Sequence, residues 1–425
     1  MKRYNNYKGS GLDWIGEIPE EWKIQRIKTL FKEINERSFD GSEDLLSVSQ
    51  YTGVTKKSDK IGDGDLLTNA STLEGYKIVS KDDLVSNIML AWNGSLGFSP
   101  YNGITSPAYS IYRLKSKEEK TFFHYLFRTE KYKAEFKRQS SGVIESRLRL
   151  YTDDFFSIYA ILPSLPEQQA IASFLDEKTA KIDQTISIKE KEIELLKKRR
   201  QILIQKAVTK GLDDKVKFKD SGVEWIGAIP EHWEVRKLRN CLKAVSVKNK
   251  AHMTLLSITR EKGVIIRDKD NQEENHNFIP DDLSGYKMIK KGQFGMNKMK
   301  AWQGSYGISQ YDGIVSPAYF IFNLTNKVIP EYFHLAIRSS VYVPFFVKAS
   351  DGVRIGQWDL NKNRMNEIPF FIPNNIEQKK IVLFIEELES RTAKAISLKQ
   401  QEIEKLKEYK TVLIDNVVTG KIKVS

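Results

Sequence analysis

The chain has 425 residues and 40% hydrophobic content, enough for substantial cores and, by length, for roughly three domains. Its apolar stretches fall short of the roughly 18 to 20 residues that a membrane span needs, and Met1 to Ser10 lacks the apolar core of a signal peptide, so a cytoplasmic protein is expected. A single cysteine, Cys241, excludes an internal disulfide and a cysteine-rich zinc cluster, while 68 Lys and Arg against 55 Asp and Glu give a net charge of +13, which favours polyanionic partners.

In chain order, the first distinctive segment is WIGEIPEEW at 14 to 22. Short β-branched and aromatic runs follow, such as Tyr109 to Tyr112, set between Gly, Asn, Asp and Pro turn signals, and these predict strands. Phe122, Phe123, Leu126 and Phe127 recur at helical spacing and predict a helix over 118–137. The connection PSLPEQQ (163 to 169) places a proline where an extended segment hands over to a helix. Beyond it, Ile182, Ile186, Lys189, Ile193, Leu196, Arg200, Leu203 and Ala207 alternate spacings of 4 and 3, the a and d pattern of a coiled-coil seam.

The whole order then repeats. WIGAIPEHW begins at Trp225, 211 positions after Trp14; AWNGS (91 to 95) returns as AWQGS (301 to 305), GITSPAY (103 to 109) as GIVSPAY (313 to 319) and EIELLK (192 to 197) as EIEKLK (402 to 407), all 210 positions on. The seam returns as Thr392, Ile396, Lys399, Ile403, Leu406, Lys410, Leu413 and Val417, with basic interruptions at the same two places. Each copy is therefore a globular part of about 160 residues followed by a long amphipathic helix, and a helix of about 40 residues, on the order of 60 Å long, needs a partner for its stripe. Intramolecular pairing covers both stripes; two repeats related by a two-fold axis run antiparallel, with their globular parts at opposite ends of a rod.

Two similar heads on a basic molecule suit duplex DNA, whose equivalent major grooves recur on one face every 34 to 36 Å or so. Shared residues then build the framework and divergent polar residues read bases. Divergence is clearest beside shared glycines: SQYTGVTKK (49 to 57) against TREKGVIIR (259 to 267), AWNGS against AWQGS, and SGVIESRLRL (141 to 150) against DGVRIGQWDL (351 to 360). The candidate DNA-binding residues are Gln50, Thr52, Lys56, Lys57, Asn93, Ser141, Arg147 and Arg149 in the first copy, and Arg260, Lys262, Arg267, Lys298, Lys300, Gln303, Arg354 and Gln357 in the second, residue types that bond base edges or phosphates. The repeated tryptophans Trp14, Trp22, Trp92, Trp225, Trp233 and Trp302 read as packing residues, and the repeat partners His124 and His334 as structural ones.

Catalytic signatures are missing from the sequence. A DNA adenine methyltransferase needs a glycine-rich cofactor loop, and an Asn or Asp before Pro-Pro and an aromatic; SPAY at 106 to 109 and 316 to 319 offers only Ser106 and Ser316 at the acceptor position. No GxxxxGK[ST] phosphate loop occurs, and the five histidines lack metal-ligand spacing. A bare coiled-coil scaffold explains the helices but not two large basic heads.

In combination, the WIGxIPxxW openings at Trp14 and Trp225, the SPAY segments, the PxxxEQ junctions at Pro163 and Pro373 and the helix endings AVTKG (207 to 211) and VVTGK (417 to 421) resemble the specificity subunits of type I restriction-modification enzymes over essentially the whole chain. The resemblance implies an α+β chain of two mixed α/β target-recognition domains, 1–162 and 212–372, separated by two long antiparallel coiled-coil helices, 163–211 and 373–425, with internal pseudo-two-fold symmetry. It implies recognition of a bipartite asymmetric DNA site, adenine methylation by two docked methyltransferase subunits, and ATP-dependent cleavage once motor and nuclease subunits join. It also implies that this chain is non-catalytic and binds no cofactor itself, S-adenosylmethionine, ATP and magnesium belonging to those partners.

Overall fold

A computed structural model describes residues 2–50, 52–60, 72–115, 117–268, 279–352 and 358–424. It divides into two compact units, Met1–Lys189 with Gln401–Ser425, and Glu190–Gln400. Each unit thus holds one head, the start of the long helix that follows that head, and the end of the other long helix. The helices run Leu165–Lys210 and Asn375–Val418, so both are shared between units.

The heads repeat one topology. In the first, a four-stranded antiparallel sheet has the order Phe31–Ile34, Tyr109–Leu114, Leu84–Asn87, Leu96–Phe98. In the second the order is Leu242–Val245, Tyr319–Leu324, Phe294–Asn297, Tyr306–Ile308. Each head adds a separate two-stranded hairpin, Leu46–Ser49 with Gly53–Lys56 and Leu256–Thr259 with Gly263–Ile266, that lays an apolar face against the sheet. Burial alternates along Leu46–Ser49 and Leu256–Thr259, as a half-buried strand requires.

The repeated motifs turn out to tie each head to its helix. Trp22 and Trp233 are buried, and their indole N–H groups donate to Glu167 Oε2 at 3.1 Å and Glu377 Oε1 at 3.0 Å, the glutamates of the two PxxxEQ junctions. The neighbouring glutamines are fully buried. Gln168 donates to the Pro163 carbonyl and Glu118 and accepts from the Glu119 N–H; Gln378 donates to the Pro373 and Lys327 carbonyls and accepts from the Ile329 N–H. A buried amide with both ends satisfied fixes the angle at which strand becomes helix. The tryptophans divide: Trp14, Trp92 and Trp302 are half-buried, while Trp225 is 38% exposed with the Lys348 ammonium 4.5 Å from its ring.

The seam expected from heptad spacing is the covered face of both helices. From Ile182 to Leu203 and from Thr392 to Leu413 every seam residue is buried or half-buried, with most of their neighbours exposed. In the first unit Lys410 Nζ lies 2.7 Å from both oxygens of Asp183, and Lys189 Nζ lies 2.5 Å from Glu402. Residue numbers rise on one helix as they fall on the other, so the pairing is antiparallel. Lys399 and Glu192 pair the same way in the second unit.

The helix expected over 118–137 is two helices, Lys120–Leu126 and Glu130–Gln139. Thr129 breaks the run: its side chain accepts from the Tyr132 N–H as an N-cap and its backbone is extended. Pro330–Ile337 and Val343–Lys348 show the same interruption in the second head.

Candidate nucleic-acid interface

The hairpin tip is the place where the two heads share a backbone and differ in side chains. Each tip closes on a glycine in the left-handed region, Gly53 (φ 66°) or Gly263 (φ 72°), which a side-chain-bearing residue adopts only under strain. Gly97 of the neighbouring strand lets the hairpin approach: a Cβ there would lie 3.3 Å from the Gly53 Cα. Between the strands the first head presents Gln50 and Thr52, and the second presents Arg260, Glu261 and Lys262. Ser49 Oγ accepts from the Thr52 N–H and Thr259 Oγ1 from the Lys262 N–H, so the turn is built alike under unlike side chains.

Behind each tip stands an arginine. Arg128 donates to the carbonyls of Gln50 and Leu96; Arg338 donates to those of Arg260 at 2.9 Å, Glu261 at 2.8 Å and Tyr306 at 2.6 Å. Four residues earlier, on the helices Lys120–Leu126 and Pro330–Ile337 that precede these arginines, sit His124 and His334, beside the tip glycines. His334 Nδ1 accepts from the Ile308 N–H at 3.1 Å. Burial, with the adjacent arginine second, pushes both imidazoles down to about 4, so both are neutral at pH 7.

Gln50 and Asn93 come together: with Gly94, Arg128 and Lys133 they line a cavity of about 340 Å³. Asn93 sits in the 3₁₀ turn Ala91–Asn93 and Gln303 in its counterpart Ala301–Gln303. Lys56 and Lys57 lie at the hairpin base, where Lys56 pairs with Asp44 at 2.6 Å. Arg267 occupies the equivalent base in the second head, its N–H donating to the Leu255 carbonyl as the Lys57 N–H does to that of Leu45. Ser141 and Arg149 exchange two backbone hydrogen bonds of 2.9 Å and close a loop on which Arg147 is exposed. In the second head Lys298 pairs with Asp359 at 2.9 Å and Lys300 is exposed; Arg354 and Gln357 lie outside the described residues. Sequence reasoning did not single out Arg128, Lys133 or Arg338. The repeated HxxxR spacing, His124 to Arg128 and His334 to Arg338, is the signal that marks two of them.

Among the described residues no group of three or more His, Cys, Asp or Glu side chains could hold a metal ion, and no helix is long and apolar enough to cross a membrane.

Comparison with known proteins places this architecture. Residues 19–198 match the model of the type I restriction modification DNA specificity domain. The type I restriction enzyme MjaVIII specificity subunit of Methanocaldococcus jannaschii is 26% identical over 96% of this chain and 94% of its own length. Among solved structures, a chain studied for complex assembly and conformational transition of the type I R-M system superposes with a TM-score of 0.64 at 12% identity, covering 95% of this chain and 99% of that one. The HsdS subunit from Thermoanaerobacter tengcongensis gives a TM-score of 0.55 at 12% identity over 95% of this chain and 98% of its own. Duplicated heads joined to shared long helices, a specificity-domain match over the first copy and a relative alike over nearly its full length agree: the chain is similar along its length to the specificity subunits of type I restriction-modification systems, and its residues 19–198 match their DNA specificity domain.

Proposed function

We propose that each head reads one half of a bipartite asymmetric DNA site, residues 1–162 the first half and 212–372 the second. The observation that supports this reading is the pairing of one framework with two sets of tip residues: Gln50 and Asn93 stand where the second head has Arg260 and Gln303. Glutamine and asparagine bond adenine edges bidentately and arginine bonds guanine, so the equivalent positions Gln50 and Arg260 favour different bases, while Asn93 and Gln303 both suit adenine. Lys56, Lys57, Arg147, Arg149, Lys262, Arg267, Lys298 and Lys300 would serve phosphates and neighbouring bases, Thr52 and Ser141 supplying hydroxyls, and Arg354 and Gln357 belong to the same proposed set.

On this reading the chain is the address and its partners do the chemistry. Two methyltransferase subunits methylate adenine N6 with S-adenosylmethionine, and restriction subunits with ATP and magnesium cleave. The assembly works in the cytoplasm, and the spacer between half-sites is not read.

Exchange of residues 1–162 for the corresponding segment of another specificity subunit tests the proposal. Modified-base sequencing of DNA methylated by the hybrid complex should show one half of the motif changed and the other retained. An unchanged motif, or loss of both halves together, refutes independent heads.

A further inference from the structure

A two-stranded hairpin is marginally stable by itself, and its tip carbonyls lie beyond the last ladder pair, Ser49 with Gly53 or Thr259 with Gly263. Something else has to fix them. In each head that is one guanidinium, and its acceptors are repeat partners: Arg128 takes the carbonyls of Gln50 and Leu96, and Arg338 those of Arg260 and Tyr306. Both arginines are half-buried at the end of a short helix whose other face enters the head core. Among the described residues no carboxylate lies within salt-bridge distance of either, so what each contributes is the direction of its donors. A peptide carbonyl held in place fixes the peptide plane, and with it the line along which the adjoining tip side chain leaves the backbone.

We propose that Arg128 and Arg338 are positioning residues for specificity: each locks its hairpin tip so that Gln50 and Thr52, or Arg260 and Lys262, meet base edges in one fixed geometry. The inference rests on the reading that the tips face DNA. It adds that discrimination within each half-site depends on a half-buried arginine that touches no base. A base-edge contact pays only when donor and acceptor are aligned, so a tip free to rotate still binds DNA yet tells bases apart poorly.

The test uses the full chain assembled with its methyltransferase subunits, and duplexes carrying the cognate motif or single substitutions in either half. Arg128→Lys keeps the charge and the aliphatic stem but cannot hold two carbonyls in fork geometry. It should assemble normally, lose about tenfold of its discrimination in the half read by the first head, and leave the other half at the wild-type value. Arg338→Lys should give the mirror result. Arg128→Ala should lose more, in the same half alone. Uniform weakening on all duplexes with a shallower salt dependence overturns the proposal, because it marks a phosphate contact. Unaltered discrimination overturns it too, and so does failure of the lysine variant to assemble, which marks a purely structural residue. The head exchange separates this inference from the reading beneath it: if the exchange changes one half of the motif while Arg128→Lys changes nothing, the positioning fails and the two-headed reading stands.

Discussion

Set side by side, the two heads share most of their hydrogen bonds where they meet their helices and part company at the hairpin tips. Trp22 with Glu167 repeats as Trp233 with Glu377, Gln168 with the Glu119 N–H as Gln378 with the Ile329 N–H, and Arg128 with the Gln50 carbonyl as Arg338 with that of Arg260. The tips read Gln-Tyr-Thr in one head and Arg-Glu-Lys in the other on the same turn. Duplication has therefore kept the residues whose loss leaves a buried polar group unpaired and released those of the hairpin tips. The most direct way to break this comparison is to remove a framework residue from each head and ask for equal damage. Gln168→Ala and Gln378→Ala each delete three hydrogen bonds from a fully buried side chain, and each should cost about 3 kcal/mol. Hydrogen exchange, read separately over the strands of each head, measures both losses, and a cost confined to one head would show that the copies do not share a framework.

Acid is a gentler probe of the same equivalence. His124 and His334 are depressed to about 4 by burial, against about 6.5 in an unfolded chain, so between those values the unfolded state binds the proton and the folded state does not. Their contribution is fully present above pH 6.5 and is lost as pH falls, by roughly 2 kcal/mol per histidine on going to pH 5. His334 also needs an unprotonated Nδ1 to accept from the Ile308 N–H. Denaturant unfolding at pH 7 and pH 5 should show the loss, and His124→Gln with His334→Gln should flatten the difference between the two pH values; an equally steep dependence in the double variant would move its origin elsewhere.

How far the sequence carried this architecture depended on whether a residue's job is periodic or geometric. The seam from Ile182 to Ala207 and its repeat were legible because a helix pair writes its contacts at fixed spacing, and burial follows that spacing residue by residue. The PxxxEQ junction was legible as a boundary but not as a mechanism, since nothing in the spacing says that Glu167 and Glu377 receive an indole N–H. The break at Thr129 was illegible: its cap competes with a strong Lys and Glu helix former on either side, and the phenylalanine pattern runs straight up to it. Arg128 and Arg338 stayed hidden for a related reason, because among 68 basic residues a cation that bonds only carbonyls has no compositional mark. The repeated HxxxR spacing was available, yet it gains meaning only once the hairpin is seen folded against that helix.

The smallest expected effect lies in the seam, where the copies differ by one charge. Lys410 of the first unit grips both oxygens of Asp183, but the repeat partners in the second unit are Arg200 and Ala393, and the Arg200 Nε is buried with no hydrogen-bond partner among the described residues. Asp183 is 57% exposed and the Lys410 side chain 30%, so solvent screens the pair and its coupling should be about 0.5 kcal/mol. Ala393→Asp would restore the missing carboxylate opposite Arg200, at a helix-propensity cost of similar size, roughly 0.5 kcal/mol, so the net change in stability is near zero and uninformative. A double-mutant cycle removes the propensity cost and isolates the pair. Asp183 with Lys410 should couple in the wild-type chain, the carboxylate introduced by Ala393→Asp should couple with Arg200 by about the same amount, and both couplings should fall in high salt. A new coupling well above that of Asp183 and Lys410 would mean that the seam around Arg200 is drier than its counterpart, and the helices would then differ in the one place where their spacing says they match.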